Sequence, residues 1–260
     1  MVRLSLLFIS VLTLFCYMIP GFILRKTKIA DANFAKSLSV FTLYVAQVAM
    51  ILHGFMVEFD LKVLKGIGLV FIFGLISHIV FYILAKNLFK KAPERLQRVL
   101  RFGVIFSNAG YMGIPIISDV FGSEYVIYAT VYIVWFNPAV VPIVIGLVIF
   151  LTGGGSLIKQ TLAMENGFTH ETVSLLYNII TVLKNMVAPA SMMVIGAKLA
   201  DIDFKGIFKD KYLYPFIAVR LLIFPAVMWA IMRICIIFGL IDSTSMSIVL
   251  ILCSTPAAAI

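Results

Sequence analysis

The sequence predicts an all-α polytopic membrane protein, and three observations lead to this prediction. The chain of 260 residues is 62% apolar with a mean hydropathy of +1.10, whereas about half of the residues in soluble domains are apolar. Long uncharged stretches recur along the chain, and about 20 apolar residues let a helix cross a hydrocarbon layer about 30 Å thick. One block of sequence also recurs after about 142 residues. Because backbone groups in lipid must be satisfied within the chain, the spans are predicted to be helices.

Eight apolar stretches are candidate membrane spans. Six of them carry no Asp, Glu, Lys or Arg, and two carry a single cation, Lys184 or Arg220. The fifth stretch is the longest and contains Pro138, Pro142 and three consecutive glycines. In chain order, the stretches are Leu4–Leu24, Ser37–Val57, Gly66–Ala85, Phe102–Ser118, Tyr125–Ile158, Thr172–Ala197, Tyr212–Met232 and Ser243–Ile260.

The basic residues lie mostly in the loops between these stretches and set the predicted topology. Three loops are strongly basic, at residues 25–36, 86–101 and 198–211. The positive-inside rule therefore predicts that these loops are cytoplasmic and that the N-terminus is outside. This topology accounts for the net charge of +9 without nucleic-acid binding.

The fifth stretch, Tyr125–Ile158, conflicts with this topology. The charge pattern requires an even number of crossings there, but two crossings with a turn need more than about 40 residues, and the stretch has 34. We expect that a connection and part of a span are missing near Trp135–Pro142; a strained re-entrant pair is the alternative. The sequence also stops at Ile260 without a final span, so we expect a shortened carrier.

The internal repeat predicts two related halves. Tyr44–Lys62 matches Met186–Lys205, and a second match joins the segments that contain Pro115 and Pro256. We predict a first membrane repeat over residues 1–136 and an incomplete second membrane repeat over residues 137–260. Duplicated halves with broken helices are typical of secondary transporters. Chance similarity between two apolar segments is the alternative.

A cluster of polar and helix-breaking residues marks each half as a candidate substrate site. Proline removes a backbone donor and glycine adds flexibility, so the helix is expected to unwind near mid-membrane and to free backbone groups for a substrate. A proline kink with packing glycines is the alternative. The cluster comprises Asn108, Gly110, Gly113 and Pro115 in the first half and Ser254, Thr255 and Pro256 in the second.

Ionisable side chains inside spans cost roughly 2.5–3.5 kcal/mol to insert, so each is a candidate site residue. Arg220 lies eight residues into its stretch; it is either a counter-charge for an anion or a side chain that reaches the membrane surface. Lys184 and Asn185 directly precede the second copy of the repeated block. His53 and His78 are lone histidines, for which packing is the commoner role, although proton coupling is chemically open. No Asp or Glu lies within a predicted span.

The sequence carries no enzyme signature of the common kinds. It has no HExxH, GxSxG, P-loop or dinucleotide-binding glycine pattern. Its three cysteines lack the spacing of a metal site or a disulfide. We therefore expect no enzymatic activity, no cofactor and no metal.

Four segments in combination resemble the auxin efflux carrier family, which includes bacterial malate-permease-like members. They are NAGYMGIP (108–115), NMVAPASMMVIGAKLAD (185–201), VRLLIFP (219–225) and CSTPAAA (253–259). The resemblance covers nearly the whole chain and implies ten spans in two inverted five-helix repeats, similar to bile-acid sodium symporters. It also implies that the fourth and ninth spans cross at Pro115 and Pro256, with Asn108, Ser254 and Thr255 lining the site. The resemblance further implies transport of organic anions by an elevator-like movement.

One residue departs from the family pattern: Gln47 stands where the family usually has proline, as Pro189 does in the second half.

We predict a permease or efflux carrier of the cell membrane for small organic anions such as mono- or dicarboxylates. The anion would bind at the crossing, with Lys184 or Arg220 supplying positive charge, and the carrier fold leaves a homodimer open. A truncated remnant that does not transport and, less favoured, a channel are the alternatives.

Overall fold

The computed structural model describes residues 4–58, 60–135, 140–164, 168–203 and 209–257. Apolar sequence of this length folds into helices because a helix pairs its backbone groups internally. The described residues form no sheet, and a single bridge joins Ser107 to Ala257. The helices are α1 Leu4–Lys26, α2 Phe34–Phe55, α3 Leu61–Ala85, α4 Glu94–Ile105, α5 Ala109–Phe121, α6 Val126–Ile133, α7 Val140–Leu151, α8 Gly154–Leu162, α9 Phe168–Asn185, α10 Val187–Ala200, α11 Leu213–Ile237 and α12 Ser243–Ser254.

Five segments of the described chain are long and apolar enough to cross a membrane: α1, α2, α3, the α9–α10 pair and α11. Helices α5 and α12 are shorter apolar helices, and α7 and α8 form a pair bent by 74°. The prediction of a multi-pass α-helical membrane protein is therefore confirmed. Helices α2, α5 and α11 each contain a π turn, at Thr42–Ala46, Ala109–Gly113 and Val219–Ile223.

Helices α1 and α10 pack backbone against backbone. A Cβ placed on Gly21 would overlap the Met193 carbonyl, and a Cβ placed on Gly196 would overlap the Met18 carbonyl. Small residues permit this approach, and close van der Waals contact holds helices together where lipid supplies no hydrophobic driving force. Gly196, part of the repeated block, therefore serves a helix–helix contact.

The three basic loops lie at the same end of the helix bundle. Arg25 Nε lies 2.9 Å from the Asp201 carboxylate, which joins the first basic loop to the third. The Tyr212 hydroxyl donates to the Lys91 carbonyl at 2.8 Å, which joins the second basic loop to the third. The loops that the charge pattern assigned to one side of the membrane are therefore neighbours in the fold.

The fifth apolar stretch, Tyr125–Ile158, whose length conflicted with the topology, contains helices α6 and α7, which run in opposite directions. Helix α6 starts near the first turns of α3, where Tyr128 packs at Gly66, and runs alongside α3 in the same direction. Just beyond its end, Trp135 Nε1 donates to the Phe71 carbonyl at 3.1 Å. Phe71 lies about 15 Å along α3, at a rise of about 1.5 Å per residue. Tyr132, in the last turn of α6, lies against Gly74, about 20 Å along α3 at the same rise. Helix α6 therefore ends about halfway along its neighbour.

Helix α7 returns beside α2 to the end from which α6 started. Gly146 packs against Phe55, and Gly155 lies against the Val57 carbonyl. Lys159 Nζ, in α8, lies 3.3 Å from the Glu58 carboxylate. Two short helices that enter and leave at the same end of the bundle make no complete crossing. This pair therefore satisfies the even-crossing requirement with few residues. Pro138, part of the break expected from the sequence, lies outside the described residues.

Candidate functional site

Two interrupted helices meet near the centre of the described fold. Helix α4 ends at Ile105, and helix α12 ends at Ser254. The residues that follow them pair with each other: the Asn108 N–H donates to the Pro256 carbonyl at 2.8 Å, and Ser107 bridges Ala257 in an antiparallel sense. The two segments that the sequence predicts to break therefore lie side by side, and we call this contact the crossing.

The first helix break lies at residues 106–108, not at Pro115. Pro115 occupies the first turn of the α-helical part of α5, Ile114–Phe121, where a missing backbone donor disrupts least. The Tyr111 carbonyl, four residues earlier, lies 3.3 Å from the Ser191 hydroxyl and shares it as a donor with the Ala188 carbonyl at 3.1 Å. The expectation that both prolines mark the crossing is therefore wrong for Pro115, whereas Pro256 lies at the crossing.

Arg220 binds the carbonyl ends of both interrupted helices. Its guanidinium donates to the Val104 carbonyl at 3.0 Å, the Cys253 carbonyl at 2.9 Å and the Thr255 carbonyl at 2.7 Å. Only 1% of the residue is exposed, and its charged group lies 5.9 Å from the centre of the Phe81 ring. Helices α4 and α12 point their C-termini here, and a cation stabilises the unpaired carbonyls and the negative dipole end of a helix. Arg220 therefore joins the two breaks electrostatically.

The crossing is closely packed. A Cβ on Gly113 would lie 2.7 Å from Leu252 Cδ2, so glycine permits α5 to approach α12. Asn108 and Thr255 are buried. Gly110 and Ser254 are partly exposed, and Pro256 is exposed.

A cavity of about 270 Å³ lies apart from the crossing, between α1, α2, α5 and the α9–α10 junction. It is lined by both apolar and polar side chains, and it opens next to the break between α9 and α10. The structure therefore divides the predicted site residues between two places. Pro115, Lys184 and Asn185 line the cavity, whereas Asn108, Thr255, Pro256 and Arg220 lie at the crossing.

Lys184 lies beside His53 in the wall of this cavity. The Lys184 ammonium nitrogen is 3.2 Å from His53 Nδ1 and 3.1 Å from His53 Nε2. The Tyr177 ring contacts the His53 ring in a tilted arrangement, with 5.3 Å between the ring centres. Among the described residues, no carboxylate lies within 4.0 Å of the ammonium. Lys184 therefore offers a cation to the cavity, and the His53 imidazole is its protein partner.

Helix α5 contributes three residues to the cavity: Pro115, Ser118 and Asp119. They share one helix face because residues three and four apart are neighbours on a helix. Asp119 directly follows the predicted span Phe102–Ser118 and lies inside α5, one of the shorter apolar helices. Ser118 was not among the residues predicted for the site, and His53 was expected to be a packing residue. The i, i+3, i+4 spacing after Pro115 is the signal that identifies Ser118 and Asp119.

Comparison with known proteins adds a family assignment to this geometry. A family model described as "membrane transport protein" matches residues 6–137, slightly more than half of the chain. The match covers α1 to α6, and thus the first break, and it ends between α6 and α7. No curated protein matches the chain.

Proposed function

The chain belongs to the family of membrane transport proteins that includes the auxin efflux carriers, and on this basis we propose that it is a secondary transporter of small organic anions. Members of the family are transporters and not enzymes. The proposed substrates are mono- or dicarboxylates, and the proposed binding site is the cavity beside Lys184.

The observation that carries this proposal is the cation in the cavity wall. Lys184 lies in a membrane-crossing segment, where an ionisable residue is costly and is usually functional. The carboxylate of a substrate would supply the charge partner that the described residues do not bring to it. The volume of about 270 Å³ lies just below the range of about 300–1,000 Å³ that is typical of ligand pockets, which favours a small anion. Asn185 adds an amide donor at the same wall.

The arrangement around the cavity supports alternating access. One wall belongs to α1, α2, α9 and α10, which pack on each other; the other belongs to α5, which is part of the crossing. A substrate between two helix groups can be exposed to either side when one group slides against the other. The first half contributes α1, which packs on the second copy of the repeated block in α10. The second half contributes α7, which packs on the first copy in α2. This reciprocal packing supports the two inverted repeats that we propose for residues 1–136 and 137–260.

The charge distribution supports an orientation for this carrier. With the three basic loops in the cytoplasm, the N-terminus is outside and the α6–α7 pair enters from the outside. We propose the plasma or inner membrane as its location and lipid as its surroundings. We also propose that the protein forms a homodimer, because the chain resembles carriers of this family.

Uptake into proteoliposomes tests this function. We expect saturable uptake of labelled malate or indole-3-acetate above that of protein-free liposomes. Lys184→Met should lower kcat/KM roughly 10- to 100-fold, because a hydrogen bond to a charged group contributes about 1.5–3 kcal/mol. Lys159→Met is the matched control: this lysine is exposed and pairs with Glu58 outside the cavity, so uptake should be unchanged.

Two outcomes would contradict the proposal. Conduction that rises linearly with anion concentration would indicate a channel. Correctly inserted protein that takes up neither anion would favour a remnant that does not transport.

A further inference from the structure

The Lys184–His53 pair holds two basic groups within hydrogen-bond distance of each other. The ammonium is nearly equidistant from the two ring nitrogens, at 3.2 Å and 3.1 Å. A neutral imidazole has one nitrogen lone pair that can accept, and an imidazolium has none. The contact is therefore attractive when the two side chains carry one positive charge between them and repulsive when they carry two.

A second proton on this pair needs a compensating negative charge. Two unit charges about 3 Å apart repel strongly at a half-buried site, where the effective dielectric constant is far below that of water. An anion placed against the ammonium offsets this repulsion and takes over the hydrogen bond that the imidazole accepted. The imidazole nitrogen is then free to bind a proton from water.

We propose that the Lys184–His53 pair binds one proton together with each anion, so that the carrier is an organic anion–proton symporter. This inference rests on the proposed function. In the empty state, the pair is Lys184 ammonium with neutral His53. In the loaded state it is ammonium, imidazolium and a bound carboxylate. A proton from the aqueous phase moves onto the imidazole on loading, and it returns to water when the anion leaves on the other side.

The charge balance makes this cycle physically favourable. The empty pair carries one positive charge, and the pair loaded with a monocarboxylate also carries one positive charge. The two forms that move between the membrane faces are therefore electrically equivalent. A monocarboxylate crosses without net charge, whereas a dicarboxylate that brings one proton carries one net negative charge.

Few other titratable groups face the pair. Tyr177 on α9 contacts the imidazole in a tilted arrangement; Tyr17 on α1 and Asp119 on α5 line the same cavity. The described residues of α7 contribute no titratable side chain, and Glu58, beyond the end of α2, already pairs with Lys159. Asp119 is therefore the one rival proton acceptor that the experiment must separate from His53.

Two transport assays on the same proteoliposomes test the proposal. The substrate is malate or indole-3-acetate, whichever shows saturable exchange. Exchange at equal pH reports binding and movement alone. Accumulation with the interior one pH unit more alkaline, and with the membrane potential clamped at zero, reports coupling. One coupled proton predicts roughly tenfold accumulation, since a tenfold ratio corresponds to about 1.4 kcal/mol. Protein-free liposomes correct for passive entry of the protonated acid.

The variants identify the proton acceptor. His53→Gln keeps an acceptor for Lys184 but has no imidazole to protonate. Exchange should be weaker but still saturable, because His53 lines the cavity, and the accumulation ratio should fall from about tenfold to about one. His170→Gln, which alters a histidine at the start of α9 away from the cavity, should keep the tenfold accumulation.

Three results would overturn the symport mechanism while leaving the transporter in place. They are saturable exchange without accumulation in the unaltered protein, accumulation that survives in His53→Gln, and loss of accumulation in Asp119→Asn but not in His53→Gln. Absence of saturable exchange for both anions would instead overturn the proposed function itself.

Discussion

Two cations lie inside the apolar segments of this protein, and their surroundings differ in kind. Arg220 is 1% exposed and donates to three backbone carbonyls from two interrupted helices. Lys184 is half-buried, lines an open cavity and contacts the His53 imidazole. The buried Arg220 guanidinium donates to backbone carbonyls through both terminal nitrogens, and only its Nε has no partner. A charge held in this way by the backbone stabilises the fold, whereas a charge that faces a cavity is available to a ligand.

The chemistry of the two side chains matches these surroundings. The guanidinium has five N–H donors in a rigid fork, which suits several carbonyls at fixed positions. The ammonium is a compact charge on a flexible stem, which can follow a substrate as it enters or leaves. The comparison therefore gives Arg220 a structural role at the crossing, in addition to the predicted role as counter-charge. It leaves Lys184 as the cation that an anion can reach.

Removal of Arg220 should have the largest effect. We expect Arg220→Met to destabilise the protein by at least about 3 kcal/mol, because three charge-assisted hydrogen bonds are lost and buried carbonyls are left without donors. Thermal unfolding in detergent, followed by the fraction of monodisperse protein, measures this change. Arg220→Lys should recover part of the lost stability, since it restores the charge but not the planar fork.

The same measurement on Lys184→Met provides the other half of the comparison. The expected change in stability is below about 1 kcal/mol, because a half-buried cation is replaced by an apolar chain of similar length in a segment that favours apolar residues. If Arg220→Met were as stable as the unaltered protein but lost anion binding, Arg220 would be the substrate cation and our assignment would be reversed.

The next prediction concerns the helix that connects the two regions. In α5, the Tyr111 carbonyl accepts from Ser191, and Pro115 supplies no N–H to it. We expect Ser191→Ala to cost about 1 kcal/mol of stability. In a Pro115→Ala background the cost should be smaller, because the new alanine N–H can bond to that carbonyl instead. A double-mutant cycle on thermal unfolding measures the coupling, and additive changes would show that the Ser191 hydroxyl does not substitute for the missing donor.

The smallest effect on stability is expected at the N-terminus of α12, the end away from the crossing. Asp242 caps this helix, and its carboxylate accepts from the Thr244 and Ser245 N–H groups at 2.9 Å. Burial alone would raise the pKa of the Asp242 carboxyl, but the hydrogen bonds from Ser245 and Thr244 outweigh it and lower the pKa. Asp242→Ala should cost about 1 kcal/mol, and Asp242→Asn much less, because both Asp and Asn cap helices well.

The pH dependence of this effect has a definite sign. A lowered native pKa adds stability above the ordinary carboxyl value of about 3.9, and this stability is lost as the pH falls through the native value. The difference in melting temperature between the unaltered protein and Asp242→Ala should therefore be full at pH 7 and shrink below about pH 4. A difference that grew on acidification would contradict the assigned cap.

The sequence by itself determined the class of the protein and much of its organisation. Five of the eight apolar stretches identified helices long enough to cross a membrane, because the bilayer fixes the length of a span. The basic loops identified one end of the bundle because cations avoid translocation. The proline and glycine clusters around Asn108 and Pro256 identified the two breaks, since these residues weaken helices locally wherever they occur. Each inference depends on residues close together in the chain.

Only the tertiary structure decided which candidate residues act together. Lys184 meets His53 across 131 positions of sequence, and Arg220 meets the Val104 carbonyl across 116. No local pattern encodes such distances, so a lone histidine resembled a packing residue and two cations in spans looked equivalent. The same applies to Tyr125–Ile158. Its length showed that two crossings do not fit, but only the contacts of Trp135 with α3 and of Gly155 with Val57 showed that α6 and α7 run in opposite directions. Packing between distant segments determines what each buried charge can bind, and sequence periodicity carries no record of it.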